Sequence, residues 1–164
     1  MWIRNMSIEG LTSIVAFHHK ILNYAVADTF TRGERSRIMA AVKARGNKLT
    51  EARLVDLFRR HGMTGWRRHL PLKGKPDFTF VRQRVVIFVD GCFWHGCARH
   101  LRMPQSNQAY WEKKIFGNVI RDRIIRKELR AMGWKVMSIW EHEFRNEHQL
   151  VKRLQKTLAC TTNY

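Results

Sequence analysis

Residues 76–90 read P-D-F-T-F-V-R-Q-R-V-V-I-F-V-D, and this stretch decides the fold. Two runs rich in β-branched and aromatic residues, 78–81 and 85–89, are separated by a short polar segment, a pattern typical of two paired strands. The second run is continuously apolar, as in a central strand that is buried on both faces. We therefore predict a sheet in which Asp77 and Asp90 lie at neighbouring strand ends.

The flanking sequence predicts helices around this sheet. Apolar spacing indicates helices over 50–62, 107–132 and 149–158, and one more strand over 135–140. We interpret 64–76 and 90–105 as loops, because they lack a regular apolar period. The order of helix, two strands, loop insertion, helix, strand and helix predicts an α/β domain in which helices flank a mixed sheet.

The length of 164 residues suits one domain with its own hydrophobic core. We divide the chain into an N-terminal extension of unknown role, residues 1–30, and one domain, residues 31–160. Residues 1–28 contain no motif, and their two basic side chains balance two acidic ones. The whole excess of positive charge therefore lies in the domain.

The net charge of +18, from 31 basic and 13 acidic residues, opposes compaction and points to a polyanionic partner. Nucleic acid, an anionic membrane and an acidic protein all fit that description. No apolar run approaches the roughly 20 residues of a membrane-spanning helix, and polar residues interrupt the run before Ala25-Val26-Ala27, which argues against a secretory signal. Three cysteines, an odd number, favour a reducing cytosol, so we expect a cytoplasmic protein without membrane contact.

A cysteine and histidine cluster occupies residues 90–100, which read D-G-C-F-W-H-G-C-A-R-H. Cys92, Cys97 and His100 supply three nitrogen or sulfur ligands on one loop, and tetrahedral structural zinc needs four. His142, just past the last predicted strand, is the best candidate for the fourth ligand. The alternative is two buried free cysteines beside surface histidines.

Acidic residues around the sheet suggest a second metal site. Asp77 and Asp90 at neighbouring strand ends can share a hard cation such as Mg²⁺. Taken alone, Asp77 is as expected of a turn with a capping carboxylate, which is the alternative, and Glu51 in a first helical turn suits the helix dipole in any case. His95 is either a general acid or base or a further zinc ligand, and its spacing does not separate these roles.

Four motifs, in this order and spacing, together resemble the very-short-patch-repair mismatch endonucleases: G-K-P-D-F (74–78), V-D-G-C-F-W-H-G-C (89–97), N-V-I-R-D-R (118–123) and G-W-K-V-M-S-I-W-E-H (133–142). The match runs from about residue 35 to residue 158. The resemblance implies a restriction-endonuclease-like fold of the PD-(D/E)XK type with a structural Zn²⁺ and a catalytic Mg²⁺. It also implies an enzyme that nicks one strand beside a T·G mismatch.

The resemblance also assigns catalytic roles to individual residues. It makes Asp77 the central Mg²⁺ ligand, assisted by the backbone carbonyl of Val89, and makes His95 the catalytic histidine. Glu51 falls on an acidic position of the first core helix that acts on the metal through water. Asp90 belongs to the catalytic group as well, although some family members carry a histidine there.

Two further sets of residues follow from the resemblance and the basic composition. The four zinc positions fall on Cys92, Cys97, His100 and His142. The expected DNA contacts are the aromatic residues inserted beside the mismatch, a minor-groove residue and two phosphate-binding cations, which are Phe93, Trp94, Trp111, Met39, Arg67 and Lys73. A core role for the three aromatic residues is the alternative.

The implied partner is double-stranded DNA with a T·G mismatch, bound by a monomer, and other mismatch-repair proteins are further candidate partners. Two alternative functions remain at this point. One is a restriction-type or defence nuclease built on the same core, and the other is a zinc-stabilised DNA-binding protein without catalysis.

Overall fold

A four-stranded mixed sheet organises residues 50–159, which the computed structural model describes together with Gly33. The strands follow each other across the sheet in chain order: β1 (Trp66–Arg68), β2 (Phe78–Phe80), β3 (Val85–Asp90) and β4 (Lys135–Trp140). Strand β2 runs antiparallel to both β1 and β3, whereas β3 and β4 run parallel. The predicted α/β architecture with a mixed sheet is confirmed.

Strand β3 lies inside the sheet, between β2 and β4, as its continuous apolar run predicted. Val85, Val86 and Ile87 are fully buried. Phe78 of β2 is the register partner of Ile87, so the residue before β2 lies beside the end of β3. The start of β2 and the end of β3 therefore meet at one edge of the sheet.

Within residues 50–159, three α-helices pack around the sheet: α1 (Glu51–Arg60), α2 (Gln108–Ala131) and α3 (Glu147–Ala159). A 3₁₀ helix, Glu141–Arg145, joins β4 to α3. The helices begin and end within two residues of the predicted limits, and Gly133 follows α2 with a φ of 79°, the left-handed conformation expected of a helix-terminating glycine.

The main core lies between α1, α3 and the sheet. Leu54, Leu57 and Phe58 of α1 are buried, as their helical spacing predicted. The ring of Phe58 makes edge-to-face contacts with Phe78 at 5.3 Å and Phe80 at 5.4 Å between ring centroids. These aromatic contacts fix α1 on the sheet face, and with it the start of α1 near the sheet edge.

Strand β1 differs from the prediction, which assigned residues 64–76 to a loop. It is three residues long, pairs with β2 at the sheet edge, and has two exposed arginines beside a half-buried tryptophan. The conformation of this short edge strand depends on its pairing with β2 and not on burial of its side chains. Its sequence therefore lacks the alternating apolar pattern by which a strand is recognised. Within residues 50–159, no helix combines the length and the apolar character that crossing a membrane requires.

Several sequence predictions lie outside the described residues. They are the boundary between the extension 1–30 and the domain 31–160, and the minor-groove position of Met39.

Candidate active site and metal centre

A cleft of about 490 Å³ lies where the start of β2 and the end of β3 meet the start of α1 and the middle of α2. Its acidic lining residues are Glu51, Asp77, Asp90 and Asp122, beside His95. Its basic lining residues are Lys75, Lys114, Arg121 and Arg126. Carboxylates within a basic wall suit a site that holds a cation and a phosphate together.

Asp77 lies immediately before β2, and its carboxylate is tied to the neighbouring strand. Its Oδ2 accepts a hydrogen bond of 2.8 Å from the backbone N–H of Val89. Burial raises the pKa of Asp77 from 3.8 to about 6, with Glu51 and Asp90 adding to the rise and the Val89 bond opposing it. Keeping this carboxylate ionised therefore costs free energy, which a bound cation would offset.

Glu51 begins α1 and is buried. Its Oε2 forms an ion pair with the Arg68 guanidinium, and the Nε2 of His69 lies 3.8 Å from the same oxygen. One ligand atom each from Glu51, His69 and Asp77 can be chosen so that all three lie within 4.8 Å of one another. Asp77 thus lies with Glu51, which the resemblance placed near the metal through water, and with His69, whereas the predicted partner Asp90 is not in this group.

His95 points its Nδ1 at a carboxylate from α2 rather than at the cysteines. Nδ1 lies 2.6 Å from Oδ2 of Asp122 and 3.6 Å from Oδ1 of Asp90. Burial alone would raise the pKa of Asp122, but the hydrogen bond with His95 and the nearby positive charges lower it overall. An ionised Asp122 selects the imidazole tautomer that donates from Nδ1, which leaves Nε2 able to accept a proton.

Asp90 is buried with 2% of its side chain exposed, and it is paired with α2 as well. Its Oδ2 accepts a hydrogen bond of 2.6 Å from Arg126, whose guanidinium also lies over the Phe88 ring. Burial raises the pKa of Asp90, while Arg126 and His95 oppose that rise. Asp90 therefore combines two contacts, an ion pair with Arg126 and an electrostatic contact with His95.

A second group of potential ligands lies beside the cleft. Its members are Cys92, Cys97, His100 and His142. The Sγ of Cys92 lies 3.3 Å from Nδ1 of His142, and the Sγ of Cys97 lies 3.6 Å from Nδ1 of both His100 and His142. Ligands of one tetrahedral zinc with ordinary Zn–S and Zn–N bonds are separated by about 3.6 Å, so this donor set fits the ion.

The chemistry of the thiols agrees with that fit. Burial, with the neighbouring Cys97, raises the pKa of Cys92 to about 11, although a hydrogen bond with His142 opposes the rise. The Cys92 thiol is half-buried and the Cys97 thiol is buried, and both lie beside imidazoles. A bound cation would stabilise the thiolate form of these side chains.

Comparison with known proteins identifies relatives of the chain. The family model described as DNA mismatch endonuclease Vsr matches residues 27–100. The DNA mismatch endonuclease Vsr of Escherichia coli (strain K12) is 35% identical over 126 residues, which cover 76% of this chain and 80% of that protein. The chain belongs to the DNA mismatch endonuclease Vsr family. Membership places it among the enzymes that cut DNA, with a restriction-endonuclease-like fold.

Two other relatives are described as type II nicking enzymes. V.NaeI of Lentzea aerocolonigenes is 47% identical over 72 residues, which are 44% of this chain and 43% of that protein. V.NmeAIP of Neisseria meningitidis is 31% identical over 133 residues, which are 80% of this chain and 94% of that protein. The Vsr-family likeness therefore extends over most of this chain in the longer alignments.

Three aromatic residues form a cluster in this Vsr-family chain, next to the cleft. Phe93 contacts Trp94 at 5.1 Å and Trp111 at 5.4 Å between ring centroids, all edge to face. Phe93 and Trp94 are half-buried, whereas Trp111 is buried in the smaller core between the loop and α2. The side-chain amide of Asn118 donates a 3.0 Å hydrogen bond to the Trp94 carbonyl. The cluster thus has an accessible part and a core part.

The two predicted phosphate-binding cations are both exposed and lie on different elements. Arg67 is exposed on β1. Lys73 forms an exposed ion pair of 2.7 Å with Glu128 of α2.

Sequence reasoning missed three residues of the site. Asp122 and Arg126 were inside or beside a quoted motif, and with Asn118 they recur every four residues, so they share one face of α2. That spacing was a usable signal. His69 carried none, because it lies in a segment assigned to a loop.

The raised pKa of Asp77 predicts that Asp77→Asn stabilises the protein without added Mg²⁺, and that this stabilisation depends on pH. Since the pKa rises from 3.8 to about 6 on folding, ionised Asp77 destabilises the fold above pH 6, and this penalty vanishes as the pH falls toward 3.8. We expect Asp77→Asn to raise the free energy of unfolding by up to about 3 kcal/mol at pH 8 and by about half of that at pH 5. Urea denaturation at both pH values measures the change in the free energy of unfolding. A variant that is less stable than the unsubstituted protein at pH 8 would contradict the prediction.

Proposed function

We propose that this chain nicks one strand of double-stranded DNA beside a T·G mismatch, using a divalent cation held at Asp77. One observation carries the proposal: a single cleft joins the half-buried Asp77 carboxylate, the His95–Asp122 pair and the half-buried Trp94. A cation ligand, a proton-transfer group and a base-stacking surface are the three parts that such an enzyme needs. The name of the Escherichia coli relative supports the mismatch as the target.

Asp77, Glu51 and the backbone carbonyl of Val89 would hold the cation, which we expect to be Mg²⁺ in line with the family resemblance. The raised pKa of Asp77 supports this role, because a buried carboxylate gains most from a neighbouring positive charge. When bound, the cation polarises the phosphodiester and lowers the pKa of water. The Val89 N–H keeps one oxygen of Asp77 fixed, so that the carboxylate keeps its orientation.

His95 would carry the proton transfer. The bond from Nδ1 to Asp122 fixes the ring plane and its tautomer, so Nε2 takes up or releases a proton at the reacting phosphate. Asp90 adds a second negative charge near Nδ1, at 3.6 Å. These two carboxylates stabilise the imidazolium that forms when Nε2 accepts a proton.

The basic residues of the cleft would bind the DNA backbone. Lys75, Lys114 and Arg121 line the cleft around the acidic centre. Together with the net charge of +18, they predict binding that weakens steeply with salt. Arg67 and Lys73 would extend this contact, and Lys73 would exchange Glu128 for a phosphate. We expect the enzyme to act as a monomer.

Phe93 and Trp94 would read the mismatch by stacking. A T·G wobble stacks less well than a matched pair, so separating its base steps costs less. Trp94 is followed directly by His95, so an inserted ring would place the distorted step beside the proton-transfer group. Zn²⁺ on Cys92, Cys97, His100 and His142 would stiffen the loop that carries both residues.

Sequence-specific nicking of matched DNA is the second candidate function. Relatives such as V.NaeI and V.NmeAIP are described as type II nicking enzymes, which favours it. The two functions share the catalytic centre and differ in the role of Trp94. Nicking assays on otherwise identical duplexes with and without T·G separate them.

Catalysis at Asp77 predicts that Asp77→Ala lowers the rate of Mg²⁺-dependent nicking at least about a hundredfold, because the cation loses its main ligand. His95→Ala should lower the rate by about a hundredfold or more through loss of proton transfer. Asp56→Ala is the matched control, since Asp56 is an exposed carboxylate of α1 that pairs with Arg60. Nicking of a labelled T·G duplex measures the rates, and near-normal cutting by Asp77→Ala would place the centre elsewhere.

The zinc proposal predicts one equivalent of tightly bound zinc in protein purified without chelator. Cys92→Ala should remove it and lower the melting temperature far more than Cys160→Ala, which changes the third cysteine of the chain. Metal analysis and thermal denaturation are the measurements. Less than about half an equivalent in the unsubstituted protein, or equal melting temperatures of the two variants, would refute the ligand assignment.

The stacking role predicts that Trp94→Ala weakens binding to T·G DNA about ten- to a hundredfold, from a loss of roughly 1–3 kcal/mol of stacking. Binding to matched DNA should weaken much less, because phosphate contacts dominate there. Trp134→Ala is the control, as Trp134 packs on Arg84 outside the cleft. Titrations of both duplexes measure the effect, and equal weakening on both would remove Trp94 from mismatch recognition.

A further inference from the structure

His69 follows the last residue of β1, and its imidazole shares the carboxylate pair of the cleft. One ligand atom from each of Glu51, His69 and Asp77 lies within 4.8 Å of the other two. Neither its spacing nor its position in a basic segment suggested a ligand. The family resemblance assigned no role to this position either.

The backbone at His69 departs from regular strand geometry in a way that directs the side chain. Successive residues of a strand point to opposite faces, yet Arg68 and His69 both face Oε2 of Glu51. His69 has a φ of 49°, in the left-handed region that non-glycine residues seldom occupy. Its backbone N–H is directed at the Asp77 carbonyl, with a donor–acceptor distance of 3.4 Å. The left-handed residue thus turns the imidazole to the side of the carboxylates.

A simple ion pair explains this arrangement poorly. Glu51 already has the Arg68 guanidinium as its partner. The 3.8 Å between Nε2 of His69 and Oε2 of Glu51 exceeds the range of a hydrogen bond. It is short enough for both atoms to face one ion, since two ligands of a first-row metal each lie about 2.0–2.2 Å from it.

We propose that His69 is a nitrogen ligand of the cation held at Asp77 and Glu51, so that this centre prefers a first-row transition ion such as Mn²⁺ to Mg²⁺. The inference rests on the proposed cation site and deepens it. Mg²⁺ favours all-oxygen surroundings, whereas an imidazole beside two carboxylates suits softer divalent ions. The centre then still accepts the Mg²⁺ of the proposed function, but at equal concentrations of the two ions it binds Mn²⁺ more tightly.

The test uses the zinc-containing full chain and MnCl₂ alone, without DNA. Pulsed electron paramagnetic resonance detects magnetic coupling between Mn²⁺ and the ¹⁴N nucleus of a directly bound imidazole. We expect this coupling in the unsubstituted protein and its loss in His69→Asn. The affinity for Mn²⁺, measured by titration of free Mn²⁺, should fall at least about tenfold, while the affinity for Mg²⁺ changes less than about threefold.

Two controls separate the ligand from the fold. His69→Gly removes the imidazole and adopts the left-handed backbone without steric strain, so it should repeat the loss of coupling and of Mn²⁺ affinity with the fold intact. His61→Gln is the matched control, because His61 has a similar exposure and a carboxylate neighbour, Glu147, at 3.4 Å. This variant should keep both the coupling and the Mn²⁺ affinity.

Each contrary result has a distinct meaning. Absence of Mn²⁺ binding or of ¹⁴N coupling in the unsubstituted protein would overturn the proposal, as would coupling that survives in both His69 variants. The variant Asp77→Asn distinguishes a failure of the His69 proposal from a failure of the proposed function. If Asp77→Asn abolishes cation binding and nicking while the His69 variants bind Mn²⁺ normally, the proposed function stands and the role of His69 is wrong. If Asp77→Asn keeps both, the proposed cation site itself is wrong.

Discussion

The hydrogen bond from the Val89 N–H to the Asp77 carboxylate is the contact on which the active-site geometry depends. It links the residue before β2 to the end of β3 across an antiparallel pair whose register places Phe78 opposite Ile87. A shift of that register by one residue would turn Asp77 to the other face of the sheet. The fully buried apolar residues of β3 oppose such a shift, so the packing of the sheet fixes the position of the carboxylate.

The parallel pairing of β3 with β4 likewise fixes the positions of the residues in the Cys/His group. Asp90 and Trp140 are register partners at the ends of these strands, and Cys92 and His142 each follow two residues later. Ends of adjacent parallel strands lie side by side, so ligands separated by 50 residues of chain emerge together. The carboxylates of the cleft and the candidate zinc ligands therefore lie at one edge of the same sheet.

Much of this arrangement could be predicted from the sequence, because apolar runs and helical periods report burial directly. The β3 strand and the long α2 helix followed from such patterns, and the cysteine and histidine spacing indicated residues that the fold does bring together. Strand β1 could not be predicted, since pairing alone defines it. The contact between His95 and Asp122 depends on how α2 packs, and the approach of His69 to Glu51 depends on one left-handed backbone angle.

The shared face of α2 has a mechanical consequence. Asn118, Asp122 and Arg126 follow each other at intervals of four residues on α2. They form hydrogen bonds with the Trp94 carbonyl, with His95 and with Asp90, respectively. A rotation or translation of α2 would therefore disturb all three contacts at once. Under the proposed function, α2 holds both the loop that would stack on the bases and the group that would transfer the proton. A duplex that displaces α2 would therefore disturb proton transfer without contacting a catalytic side chain.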